Sequence, residues 1–222
     1  LEEHMDLLER LQGEVVVLSE CSWAVHQERE TPLSQRPTVE DEKEWSRLCD
    51  GLEQMAQRVR ERGFVSAYHH HMGTVIQTKE DIDKLMQQTR TLGLLLDTGH
   101  LAYAEADPLG VLREHISRVT HVHCKSVRPS VLRQKLKEDS SFFSAVVDGV
   151  FTVPGDKEQP SSEEAIDFAQ VIKTLVAADY SGWVVMEAEQ DPSKADPFTY
   201  AQLGYETLHS LLTQREFQTT HF

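Results

Sequence analysis

Histidines and carboxylates follow directly on four short apolar runs of this chain, in a pattern that could build a metal site. The leucines at 94–96 lead straight into an aspartate, and the apolar run at 183–186 leads into a glutamate. The four segments are Tyr68-His69-His70-His71, Asp97-Thr98-Gly99-His100, His121-Val122-His123-Cys124-Lys125 and Glu187-Ala188-Glu189. If the runs are parallel strands of a barrel, their carboxyl ends meet at one mouth, where such folds carry catalytic groups. The pattern therefore predicts an enzyme, and a metal-dependent one.

The spacing within these segments places pairs of ligand-type side chains on one face of a strand, because residues two apart point the same way. The pairs are His69 with His71, His121 with His123, and Glu187 with Glu189. Burying them singly under helices would be costly, which favours the open mouth of the sheet. A lone histidine is more often structural, but six of the eleven histidines fall in three of these segments. Ligation by His, Asp and Glu without Cys is typical of Mn²⁺, Co²⁺, Fe²⁺ or Zn²⁺.

The elements that must position these residues alternate between short apolar strands and amphipathic helices, which predicts an α/β fold with a parallel sheet. Strands are predicted at 14–19, 64–69, 93–96, 119–123 and 183–187. Helices are predicted at 1–11, 39–62, 109–115, 167–178 and 198–212, with a further one after Thr78. The expected helix starts are Thr38 paired with Asp41, Thr78 paired with Asp81, and Asp107 before Pro108. The connection at 126–162 is expected to hold a short helix at Val153-Pro154-Gly155-Asp156 and a polar stretch at 157–164.

The number of predicted βα units is five, whereas a closed barrel of this kind has eight. We therefore expect one domain over residues 1–222, an N-terminally incomplete (β/α)8 TIM barrel that lacks its first three strands. An open α/β sheet is the alternative that the pattern leaves.

Composition narrows the class of partner. The formal net charge of −15 argues against nucleic acid, because phosphate binding needs a basic surface. We find no apolar run near the roughly 18 residues of a membrane span and no signal-peptide pattern. Cys21, Cys49 and Cys124 form no CxxC pair, which favours free thiols and a cytoplasmic location. A small neutral substrate fits this acidic composition. Assembly into a homo-oligomer remains an open alternative.

Read together, five segments resemble the inosose dehydratases, a family within the xylose-isomerase-like barrel superfamily. They are the histidine segment through Thr74, residues 94–100, residues 121–125, Phe151-Thr152-Val153-Pro154-Gly155-Asp156 and Glu187-Ala188-Glu189-Gln190-Asp191-Pro192. The resemblance implies dehydration of scyllo-inosose, a polyol ketone of myo-inositol catabolism, to a trihydroxycyclohexane-1,2-dione. It also implies Mn²⁺ or Co²⁺ as the cofactor, and glutathione as a further one.

The resemblance also implies a ligand set, since the superfamily binds its metal after the last four strands. Carried over, the ligands are His69 (or His71), Asp97, His123 and Glu187. We expect His100, Glu20, His121 and Arg128 to bind substrate. The chain departs from the family pattern where His69 stands in place of a glutamate, where Ser126 replaces an aspartate, and where extra residues precede Ile166.

The implied reaction is a metal-assisted β-elimination. Glu187, Glu189, His71 and Glu20 are candidates for the base, and Lys125 is expected to stabilise the enolate. Three alternatives stay open: a keto-sugar epimerase or isomerase, an endonuclease-like multi-zinc relative that the acidic charge disfavours, and an inactive partial barrel.

Overall fold

The computed structural model describes residues 1–157 and 165–213 of the chain. Its strands are β1 (Val15–Leu18), β2 (Val65–His69), β3 (Leu94–Asp97), β4 (Val119–Cys124), β5 (Ser126–Val127), β6 (Phe151–Thr152) and β7 (Val184–Met186). Its α-helices are α1 (Glu2–Leu11), α2 (Glu42–Glu61), α3 (Lys79–Gln88), α4 (Thr98–Tyr103), α5 (Pro108–His115), α6 (Pro129–Lys137), α7 (Phe142–Val147), α8 (Phe168–Ala177) and α9 (Pro197–Thr213). All five predicted strands are confirmed to within one residue at either end.

Five of the strands form one curled parallel sheet in the order β1-β2-β3-β4-β7. Because they all run the same way, the polar segments that follow them lie at one end of the sheet. The predicted α/β class is confirmed. Within the described residues, β1 and β7 each pair with one neighbour only, so the sheet does not close on itself.

The side chains of β3 and β4 alternate between a helix-covered face and an inner face. Leu94 and Leu96 belong to the main hydrophobic core, as do Val122 and Cys124. By the two-residue period of a strand, Asp97 and the two histidines of β4 point to the opposite, inner face. Helices α2 and α5 pack on β2 and β3 and cover the apolar face of the sheet. The polar residues therefore lie on the other face, at the mouth.

Helix α2 begins at a different residue from the one that the sequence predicts. The predicted box of Thr38 with Asp41 is wrong, because Asp41 itself caps α2 and accepts from the backbone N–H groups of Lys43 and Glu44. The helix therefore begins three residues later than expected. The capping box of Thr78 with Asp81 is confirmed.

The short helix predicted at 153–156 is wrong, because Gly155 has a positive φ of 87° and these residues form a turn. The connection after β4 has its helices earlier in the chain. Helices α6 and α7 are followed by β6, which pairs antiparallel with β5. Strands of two residues show no alternation, so the sequence gives no sign of them. The polar stretch predicted at 157–164 lies outside the described residues except for Lys157. No helix of the described ranges is long and apolar enough to cross a membrane.

Candidate active site

Asp97 is the last residue of β3 and the N-cap residue of α4, and its two carboxylate oxygens have different partners. Its Oδ1 accepts from the backbone N–H groups of Gly99 and His100 at 2.9 and 3.0 Å. Its Oδ2 faces the mouth, 3.4 Å from His69 Nε2 and 3.5 Å from His123 Nδ1. Burial alone would raise the pKa of this carboxyl, but the Lys125 ammonium and the neighbouring imidazoles hold it well below its usual value. Asp97 is therefore a fixed carboxylate.

His123 lies between two carboxylates. Its Nδ1 is 3.0 Å from Glu187 Oε2 as well as 3.5 Å from Asp97 Oδ2. Burial opposes protonation, yet the hydrogen bonds to Asp97 and Glu187 raise the pKa of His123 to about 9. These carboxylates stabilise positive charge at this point, whether a proton or a metal ion carries it.

Ligand-type atoms of His69, Asp97 and His123 lie within 4.8 Å of one another, and we call these three residues the first cluster. Two imidazole nitrogens and a carboxylate oxygen are donors that Zn²⁺, Mn²⁺ and Co²⁺ accept. Glu187 borders this group through His123. The donor chemistry therefore fits a divalent metal ion, and three of the four predicted ligands form this cluster.

Lys125 is fully buried beneath the mouth. Its Nζ lies 2.8 Å from an oxygen of Glu187, 2.8 Å from an oxygen of Glu189 and 3.4 Å from Asp97 Oδ2. Burial opposes the charged form, but the three carboxylates outweigh it and raise the pKa of Lys125. The side chain is a permanent ammonium within the site.

His71, His100 and Glu189 form a second cluster, again with ligand-type atoms within 4.8 Å of one another. The rings of His71 and His100 are 4.0 Å apart, and their Nε2 atoms lie 3.7 and 3.6 Å from oxygens of Glu189. Burial opposes ionisation of Glu189, but His71 and Lys125 lower its pKa to about 2. Burial and then Lys125 push the pKa of His100 well below its usual value, so this ring is neutral.

The structure places the remaining predicted residues around these clusters. The ring of His121 is 5.3 Å from that of His123, deeper along the same face of β4. Glu20 lies just past β1, where its carboxylate accepts from the N–H of Ser22 at 2.6 Å. Within the described residues, the hydrogen bonds and the ion pair of Arg128 reach neither cluster. Its guanidinium binds the Gly149 carbonyl, other groups of β6 and Asp156. The assignment of these residues to substrate stays a prediction.

Sequence reasoning missed two histidines that complete the site. His70 is fully buried and accepts from the backbone N–H of Asp97 at 3.2 Å. Burial lowers the pKa of His70 to about 3, which keeps the ring an acceptor. His26, in the loop after β1, brings its ring to 5.0 Å from that of His71. A single histidine in a polar loop carries no pattern, so only its place after a strand end could have suggested it.

With this geometry in hand, the class of protein is clear. The model of the xylose isomerase-like TIM barrel family matches residues 1–211, so the chain belongs to that family. The predicted fold type is confirmed. Solved structures of the same fold include a probable 3-DHS dehydratase, AsbF, from Bacillus anthracis and the IolI protein with a bound zinc atom. Their TM-scores are 0.64 and 0.63 at 11% and 16% identity, over 96% of this chain and 68% of each structure. At such identities the likeness concerns the fold.

More similar relatives confirm the resemblance noted from the motifs. An inosose dehydratase from Geobacillus thermodenitrificans is 46% identical over 200 residues, 89% of this chain and 65% of the relative. One from Clostridium beijerinckii is 41% identical over the same shares. The rhizopine catabolism protein MocC of Rhizobium meliloti is 41% identical over 97% of this chain and 64% of its own length. The chain thus spans just under two thirds of the curated relatives that it matches.

Proposed function

We propose that this chain carries the metal site and the proton-transfer groups of an inosose dehydratase, a lyase that removes water from scyllo-inosose. The observation that carries the proposal is the convergence of two His–carboxylate clusters around the buried Lys125 at the ends of parallel strands. The similarity to several inosose dehydratases supports the substrate. The partner is then a small polyol ketone.

The ligands in this proposal are His69, Asp97, His123 and Glu187, with Mn²⁺ or Co²⁺ as the ion. When bound, a divalent ion supplies Lewis acidity that polarises a ketone and acidifies the adjacent C–H bond. The protein itself orients the side chains that would bind the ion. The backbone N–H groups at the start of α4 fix Asp97 Oδ1, so that Oδ2 faces the two imidazoles without rotation of the carboxylate.

Proton transfer belongs to the second cluster. The His71 Nδ1 hydrogen bond to the Met72 carbonyl, at 2.8 Å, turns Nε2 toward Glu189. Because the pKa of Glu189 is about 2, this carboxylate is a weak base and serves better to orient and charge-balance His71. His71 then takes the proton from carbon, and the Lys125 ammonium stabilises the negative charge that develops on the substrate oxygen. The protonated His71 gives this proton to the departing β-hydroxyl, which leaves as water. His100, neutral and buried, binds substrate hydroxyls.

The test is an assay of the purified protein with scyllo-inosose and Mn²⁺ or Co²⁺, read by the ultraviolet absorbance of the dione product. We expect turnover that a chelator abolishes. We expect Asp97→Asn to lose both bound metal and turnover, while the matched variant of the exposed helix residue Asp50, Asp50→Asn, keeps both. Parallel reactions with and without glutathione test that cofactor.

Two outcomes would contradict the proposal. If Asp97→Asn keeps its metal and its turnover, the ligand assignment is wrong. If inosose or a ketohexose is converted without formation of the dione, the activity is that of an epimerase or isomerase. No conversion at all by the metal-loaded protein would favour an inactive partial barrel.

A further inference from the structure

The second cluster has the composition of a metal site in its own right. Two imidazoles and a carboxylate, from His71, His100 and Glu189, bring ligand-type atoms within 4.8 Å of one another. Such a set resembles the three protein ligands of a catalytic zinc site. It lies beside the first cluster, since the rings of His69 and His71 are 5.5 Å apart. Donor chemistry alone would thus allow two ions side by side.

Lys125 already provides a cation at this position. Its Nζ is 2.8 Å from Glu189 Oε2 and 3.2 Å from His100 Nε2, two of the atoms that a second ion would need. Metal–ligand bonds in such sites are about 2.0–2.2 Å long, so an ion bound to Glu189 and His100 would compete with the ammonium for the same atoms. Two neighbouring cations in a buried site would also repel each other strongly.

Charge balance favours one ion. Three carboxylates surround the Lys125 ammonium: Asp97, Glu187 and Glu189. One divalent ion together with this ammonium neutralises them fully when the histidines are neutral ligands. A second divalent ion would leave two uncompensated positive charges, which a buried site tolerates poorly.

The first turn of α4 is built to hold Lys125 in this position. The hydroxyl of Thr98 accepts from the backbone N–H of Lys125 at 3.0 Å and donates to its carbonyl at 2.6 Å. A Cβ on Gly99 would lie 2.5 Å from Lys125 Cγ, so only glycine leaves space for the aliphatic chain. On the other side, Nζ lies 4.9 Å from the centre of the Phe151 ring. These contacts hold the side chain of Lys125 between α4 and the Phe151 ring, with its ammonium beside Glu189.

We propose that Lys125 is a fixed cation that takes the place of a second divalent ion. It limits the site to one ion per chain and keeps His71, His100 and Glu189 free for substrate. This inference rests on the proposed function for the first ion. It predicts that removal of the ammonium, with the rest of the site intact, creates a second metal site in the second cluster.

The test measures the number of Co²⁺ ions bound per chain, by titration of the visible Co²⁺ absorption and by elemental analysis of the dialysed protein. We expect one ion for the unaltered protein, two for Lys125→Met, and one again for Lys125→Met combined with Glu189→Gln. The double variant is the matched control, because it removes the ammonium and a ligand of the second cluster together. Circular dichroism checks that each variant is folded.

The outcomes separate this inference from the proposed function. No ion in the unaltered protein overturns both. Two ions in the unaltered protein, or one in folded Lys125→Met, overturn only the role of Lys125. If Lys125→Met does not fold, the neutral and polar variant Lys125→Gln replaces it in the same titration. Two ions in Lys125→Gln support the inference, whereas one ion refutes it.

Discussion

Substitution of Gly99 by alanine tests whether the packing of Lys125 is as tight as the structure shows. Gly99 lies in the first turn of α4, directly beside the lysine side chain. An added Cβ would lie 2.5 Å from Lys125 Cγ and 2.7 Å from its Cβ and Cδ, all below the 3.0 Å that real Cβ contacts respect. Relief requires movement of Lys125, whose Nζ is held by ion pairs of 2.8 Å to Glu187 and Glu189.

The expected cost follows from two opposing effects. Overpacking of a tight interior costs about 1–3 kcal/mol in free energy of unfolding. Helix propensity acts the other way and favours alanine over glycine by up to about 1 kcal/mol. Because Lys125 cannot move without loss of its ion pairs, the clash dominates. We expect Gly99→Ala to lower the free energy of unfolding by about 1–2 kcal/mol.

The assay is urea unfolding followed by circular dichroism, with stability taken from the midpoint and the slope. Gly51→Ala is the matched control, since Gly51 lies within α2 and a Cβ there meets nothing within 4 Å. This control should gain about 0.5–1 kcal/mol, because alanine restricts the unfolded chain. If Gly99→Ala is as stable as Gly51→Ala, Lys125 is free to move, and the argument that it is fixed fails.

Three further predictions concern other parts of the structure. Glu53→Gln should lower stability near neutral pH by about 1–2 kcal/mol, allowing for solvent screening, because this carboxylate accepts from backbone N–H groups at 90–92. These hydrogen bonds outweigh partial burial and lower the pKa of Glu53 from 4.5 to about 2. The contribution of Glu53 to the free energy of unfolding should therefore be full above pH 4.5 and lost as the pH falls toward 2. If Glu53→Gln loses stability with falling pH in the same way as the unaltered protein, this prediction is contradicted. His70→Phe should weaken Co²⁺ binding about 10–100-fold in a titration, because the backbone of the site aspartate loses its acceptor; unchanged affinity would contradict this role. A thiol reagent at pH 8 should label Cys21 alone in the native protein, since Cys21 is exposed while burial raises the pKa of Cys49 to about 11 and of Cys124 to about 12; labelling of either buried thiol before unfolding would argue against this packing.

Much of the candidate site could be predicted from sequence because parallel strands bring their carboxyl ends together. Asp97, His123 and Glu187 each follow an apolar run, and the period of two settles which side chains share a face. The fold class followed from the same runs. Register confirms the argument, since Asp97 lies directly opposite His123 in the pairing of β3 with β4.

The division of the ligand-type side chains into two clusters could not be predicted from the same rule. His69 and His71 are two apart, which suggests equivalent positions, but β2 ends at His69. His71 lies beyond the strand, where a turn and not the pleat sets its direction. It therefore joins His100 and Glu189, while His69 stays with Asp97.

The approach of His26 depends on a backbone contact that no pattern reveals. The Val25 N–H donates to the Gly73 carbonyl at 2.9 Å, which seats the loop after β1 on the site. Gly73 has a positive φ of 75°, and a Cβ there would lie 2.8 Å from His26 N. Residue 73 must therefore be glycine because the loop after β1 packs directly against it.

The segment Asp97-Thr98-Gly99-His100 shows why four consecutive residues depend on one another. The aspartate turns one oxygen toward His69 and His123 and caps the helix with the other, and the threonine fixes the backbone of Lys125. The glycine leaves space for the lysine chain, and the histidine contacts its ammonium. The strand-to-helix turn at Asp97 thus helps to position Lys125, together with the ion pairs of its ammonium to Glu187 and Glu189. If Lys125 were replaced, the contacts of its side chain that require Gly99 would be lost. Asp97 would still cap α4 and face the two imidazoles.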